Sequence, residues 1–84
     1  MKGEKHGKTD RVLAIYLKLS RGQTVNKRKM ADLFNVSEKT IQRDIKDIRG
    51  YLANNIGESE NRYILYNQGK GGYYFENIED ILNR

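Results

Sequence analysis

Three residues, Asn35, Val36 and Ser37, constrain this chain more than any other stretch of it. Before them, Met30, Leu33 and Phe34 mark the apolar face of a short helix predicted over 27–34. After them, Ile41, Ile45, Ile48 and Leu52 recur at steps of four, three and four, which draws one stripe along a longer helix over 37–52. Asparagine takes a positive φ at low cost and so ends the first helix. Serine accepts from the backbone N–H groups that open the next one. Two helices joined by so few residues must cross at once, and Ala31 offers the small side chain that a close crossing needs.

The flanks add three more elements. Thr9 is read as the N-cap of a helix whose apolar face is Val12, Leu13, Tyr16, Leu17 and Leu19, with Asp10 well placed in its first turn. Gly22 stops it by turning left-handed. A short extended piece, Gln23 to Val25, leads to Asn26, a second N-cap with Val25 and Met30 at hydrophobic-staple spacing. Gly50 weakens the third helix by roughly 1 kcal/mol relative to alanine, and a bend or an early end is expected there. "ANNIGESEN" reads as loop. "RYILY" and "YYF" around "NQGKGG" read as a hairpin, with Ile64 and Tyr66 on one face and Tyr63 and Leu65 on the other. "NIEDILNR" suggests a cap at Asn77 and one or two helical turns bearing Ile78, Ile81 and Leu82.

Eighty-four residues without a cysteine must hold together by packing alone, from aliphatic residues and six tyrosines. The net charge of +5 is unevenly spread: residues 1–29 carry nine Lys or Arg against two acids, whereas residues 50–84 carry three against five. That gradient suits a polyanionic partner. No apolar run approaches the ~20 residues of a membrane span, and the basic start lacks the apolar centre of a secretory signal. A cytoplasmic protein is expected. One histidine, no cysteine and no enclosed carboxylate pair leave an enzyme or a metal site without the groups it needs, so no cofactor is expected. "GKGG" lacks the spacing of a nucleotide-binding loop and joins strand to strand rather than strand to helix.

Three helices followed by a hairpin form the winged helix-turn-helix plan, mainly α with a small two- or three-stranded wing. The run "VNKRKMADLFNVSEKTIQRDIKDI" and the closing "GGYYF" resemble the DNA-binding domain of DeoR-type repressors, most closely the N-terminal domain of regulators that carry a WYL domain. The resemblance covers roughly residues 9–76. It implies a winged-helix fold, duplex DNA as partner and a role in bacterial transcription regulation. It divides the chain into a basic arm over 1–8, the DNA-binding domain over 9–76 and a short helix or linker over 77–84. Two departures are visible: Lys29 stands where the family usually has an acid, and the effector domain that usually follows is not in this sequence.

Specific residues can be assigned roles on that basis. Lys27, Arg28 and Lys29 crowd the first turn of the second helix, where cations oppose the helix dipole at roughly 0.3–1 kcal/mol each. A phosphate there would relieve the cost. If the isoleucine stripe is buried, the third helix turns Ser37, Lys39, Thr40, Gln42 and Arg43 outward. Gln42 suits adenine and Arg43 suits guanine in the major groove, with Lys39 beside them; Ser37, Thr40 and Lys46 suit phosphates, and Arg49 at most the DNA backbone. Positions resembling Ser37, Thr40, Gln42 and Arg43 are where the family contacts DNA. Gln68 and Lys70 form the wing tip, placed for a phosphate or the minor groove. Asp44 is expected to be structural, and the tyrosines at 63, 66, 73 and 74 to pack. Ile78, Ile81 and Leu82 share a face suited to an effector domain or a second copy of the chain. Competing readings are a solvated helix face with an Arg43–Asp47 pair, a protein-interaction winged helix and an RNA-binding one.

Overall fold

The computed structural model describes residues 7–54, 62–77 and 82. Helix α1 spans Lys8–Ser20, α2 Lys27–Phe34 and α3 Glu38–Asn54, followed by strands β1 (Arg62–Asn67) and β2 (Gly72–Asn77). The order is that of a winged helix-turn-helix.

Helix ends are set by local chemistry. At the end of α1, Gly22 takes φ 78°; its N–H donates to the Leu19 carbonyl and that of Gln23 to the Lys18 carbonyl, both at 3.0 Å. These are the two bonds of a Schellman close. Asn35 closes α2 in the same way at φ 57°, with the Val36 N–H reaching the Ala31 carbonyl at 3.0 Å. Two residues later the Ser37 hydroxyl accepts from the Thr40 N–H at 3.1 Å and opens α3. At the start of α2, Asn26 Oδ1 accepts from the Lys29 N–H at 2.9 Å.

Other ends depart from expectation. Helix α1 starts at Lys8 after Gly7, with no side chain capping it, so Thr9 lies inside the first turn rather than at the cap. Gly50 does not end α3, which runs on to Asn54; the buried neighbours Ile48 and Leu52 carry the helix past the weak point. Asn77 is the last residue of β2, not a helix cap, because its backbone pairs with Arg62. The basic arm up to His6, most of "ANNIGESEN", Ile78 and Ile81 lie outside the described residues.

Ile41, Ile45, Ile48 and Leu52 are all buried, and they meet Ile15 and Leu19 of α1, Val25, Met30 and Ala31, and Ile64 of the hairpin. Full burial of such a side chain contributes ~1.5–3 kcal/mol. The α3 stripe is thus the spine against which α1 and the hairpin pack.

The hairpin is antiparallel, with Ile64 opposite Phe75 and Tyr66 opposite Tyr73. Of the two faces, the one bearing Ile64 turns inward, since Ile64 is buried. Phe75 meets Tyr16 edge-on at 5.7 Å between ring centroids, and Arg62 lies over Phe75 while reaching the Tyr16 hydroxyl. Tyr73 packs partly against the core. Tyr63 and Tyr66, expected to pack, are 42% and 59% exposed, although Tyr66 still meets the Tyr73 ring edge-on at 5.0 Å.

A third backbone segment joins β2. Val25 and Tyr73 exchange two hydrogen bonds, 2.7 and 2.8 Å, so the link between α1 and α2 runs as an extra edge beside the wing. Gly72 permits this approach: a Cβ on it would lie 2.1 Å from the Val25 carbonyl oxygen, and its φ of +154° is one that other residues rarely adopt.

Candidate nucleic-acid interface

The buried stripe on α3 fixes what the opposite side shows. Lys39, Gln42, Arg43 and Lys46 follow at steps of three, one and three, which is a single helical face. All four are exposed, and that face points directly away from Ile41, Ile45 and Ile48. Among the described residues Arg43 makes no ion pair. Asp47, the alternative partner one turn on, instead holds Lys8 of α1 at 2.7 Å. Ser37 is exposed and Thr40 half-buried at the mouth of the helix. Their hydroxyls lie 3.0 Å apart, and the Ser37 hydroxyl also caps the helix.

Asp44 sits on the other side of α3, only 1% exposed. Its carboxylate receives Arg11 Nε and, at 3.2 Å, a second guanidinium nitrogen of the same arginine. This two-pronged grip ties α1 to α3 and fixes its rotation. The hydrogen bond to Asp44 raises the Arg11 pKa above its ordinary value, with burial opposing and the carboxylate's charge adding to the rise. Asp44 is thus structural, as its position in the sequence suggested. Arg11 is the residue that sequence reasoning missed, since it is 33 positions away. Arg49, expected at most on the DNA backbone, turns toward the wing instead. It donates to the Ile64 carbonyl at 3.2 Å and lies 5.7 Å from the centre of the Tyr73 ring.

At the start of α2, Arg28 and Lys29 are exposed and Lys27 is half-buried. The Asn26 cap takes the Lys29 N–H. The N–H groups of Lys27 and Arg28 are those a helix leaves without an internal acceptor. Asn26 also holds the wing, since its Nδ2 donates to the Gly71 carbonyl at 3.0 Å, 45 residues on. One side chain therefore caps α2 and pins the wing tip beside it. Gln68 and Lys70 are exposed on that tip. The Lys70 ammonium rests 4.2 Å from the centre of the Tyr74 ring.

This juxtaposition encloses a cleft of about 340 Å³ between the end of α1, the start of α2 and the wing. Lys18, Lys29 and Lys70 line it, with Met30 and Leu33 on its apolar side. Lys18 is a further cation that the sequence did not single out. In the last turn of a helix a lysine is already accounted for by the dipole.

Among the described residues no group of His, Cys, Asp or Glu is arranged to hold a metal ion. No helix among them is long and apolar enough to cross a membrane. Leu82, from the face suggested for an effector domain or a second copy, is 75% exposed.

Comparison with curated proteins and with solved structures gives no match. The pattern of one family, described as HTH domain, matches residues 11–74, from Arg11 in α1 through Tyr74 in the wing. Because that match takes in the crossing helices, the hairpin and most of the chain, this protein belongs to the HTH domain family of helix-turn-helix DNA-binding domains.

Proposed function

We propose that this domain binds duplex DNA in a sequence-specific way as a bacterial transcription regulator of the DeoR type, similar to those that carry a WYL domain. The observation that carries the reading is the uninterrupted polar face Lys39–Gln42–Arg43–Lys46, set opposite a fully buried stripe. A helix of this width fits the major groove, and residues in its first turns reach base edges. In this reading Lys39, Gln42 and Arg43 read bases. Lys27, Arg28, Lys29, Ser37, Thr40 and Lys46 hold phosphates, and Gln68 and Lys70 approach the flanking backbone or minor groove. The cleft shared by Lys18, Lys29 and Lys70 favours a phosphate between α2 and the wing. Lys70 leaves the Tyr74 ring to reach it, giving up a contact of ~0.5–1 kcal/mol at an exposed site. In this reading the domain over 9–76 is the DNA-binding unit, and Ile78, Ile81 and Leu82 serve attachment to an effector domain or to a second copy of the chain.

Selection of binding sites from random duplexes at two salt concentrations, followed by titration of variants, tests this. Arg28→Ala weakens every sequence alike and lowers the salt slope by about one. Arg43→Ala or Gln42→Ala costs ~1–3 kcal/mol on the selected site and far less on random DNA, as the loss of one bidentate base contact should. Equal losses on all sequences from the α3 variants would remove base reading from this face. A preference for duplex RNA of the same sequence would remove the DNA assignment.

A further inference from the structure

Helix α1 has two apolar faces, and the core uses one. Ile15 and Leu19 are buried, with Val12 and Tyr16 packed beside them. On the far side Leu13 and Leu17 remain 54% and 50% exposed. Being four residues apart, they stack one above the other. Single exposed leucines need no explanation, but a stacked pair forms the start of a patch. The patch continues past Leu13 into a groove of about 380 Å³ between α1 and α3, walled by Val12, Tyr16, Asp47, Ile48 and Tyr51.

The surroundings of the pair indicate its occupant. Positions 10, 13, 14, 17 and 21 fall within one arc of the helix and read Asp, Leu, Ala, Leu, Arg. An acid stands at one end, a base at the other, and the small Ala14 lies between the leucines. Reversed end to end, this row is complementary to itself. A second α1 laid antiparallel, with the two-fold axis level with Ile15 and therefore midway between the leucines, sets Leu13 against Leu17 of the other copy and brings Asp10 beside Arg21 of the other copy, twice over by symmetry. Each charge also suits its own helix end, but the dipole asks nothing of stacked leucines. We propose that this face of α1 is a two-fold interface between two copies of the chain. It does not compete with the polar face of α3, because α1 packs on the buried side of that helix. Two recognition helices on one particle would read paired half-sites.

Sedimentation of the 84-residue chain at low ionic strength and without DNA tests the proposal apart from any DNA reading. Between about 10 µM and about 1 mM, the range in which a small interface associates, the mass should rise from 9.8 kDa toward twice that value. Asp10→Arg alone or Arg21→Asp alone should weaken association about tenfold, since each turns two attractions into two repulsions. The double exchange Asp10→Arg/Arg21→Asp should restore it. Leu17→Glu should leave a folded monomer by circular dichroism. Monomer at every concentration overturns the proposal. So does a dimer that ignores these substitutions, or one that both single reversals weaken and the double exchange does not recover.

Discussion

Replacing Arg11 with alanine tests how α3 is held in place. The substitution leaves the Asp44 carboxylate 1% exposed and stripped of both guanidinium hydrogen bonds. Arg11 itself is only 11% exposed in its side chain, so solvent screens little of this pair. Breaking a buried pair from one side costs ~3–5 kcal/mol, because the remaining charge has neither water nor partner. A domain of this size has roughly 4–13 kcal/mol of total stability. Arg11→Ala therefore removes a large fraction of it and lowers Tm by more than about 10 °C. Urea titration followed by circular dichroism measures the loss. Asp44→Ala should cost less than Arg11→Ala, since the long arginine can swing its guanidinium to water. The double variant Arg11→Met/Asp44→Leu should recover most of the loss, because an apolar pair of similar volume avoids desolvating two charges. A loss below ~1 kcal/mol for Arg11→Ala would mean that the pair behaves like an exposed one, and the clamp between α1 and α3 would not exist.

The other expectations follow from close contacts and helix ends. Gly72→Ala drives a methyl group into the Val25 carbonyl. It should open the Val25–Tyr73 bridge, seen as fast hydrogen exchange of the Val25 and Tyr73 amides, while α3 keeps its protection. Asn26→Ala loses the α2 cap and the wing-tip anchor together, costing ~1–2 kcal/mol in denaturant titration and broadening the resonances of Gly71. Gly50→Ala meets nothing within 4 Å and lies inside a helix, so it should stabilise the domain by ~0.5–1 kcal/mol. A neutral or destabilising result there would show that the glycine is needed for something other than helix continuity.

Features that depend on residues within one helical turn were legible in the sequence. Asn35 beside Ser37 ends one helix and starts the next because each acts on backbone groups three to five positions away, and those distances are fixed by the chain itself. The same holds for Asn26 over Lys29, for Gly22, and for the isoleucine stripe whose burial turns Lys39, Gln42 and Arg43 outward. The hairpin was legible because two runs of aromatic and β-branched residues flank a glycine-rich turn. Where sequence reasoning erred, a weak local preference gave way: Thr9 lies inside α1, which starts one residue earlier; Gly50 lies between the buried Ile48 and Leu52 of a continuing helix; and Asn77 is paired in a strand.

Only the tertiary structure decided which side chains meet across elements. Asp44 was readable as structural, but its partner Arg11 was not. Asp47 takes Lys8 in place of its helical neighbour Arg43, and Arg49 turns to the wing. Lys18 joins Lys29 and Lys70 around one cleft, and Gly72 is required by a carbonyl that belongs to Val25. Helix periodicity says which way each residue faces, so the chain alone could name the polar face of α3. It carries no distance between residues tens of positions apart, and such contacts arise only when the buried stripes of three helices and a hairpin close on one another.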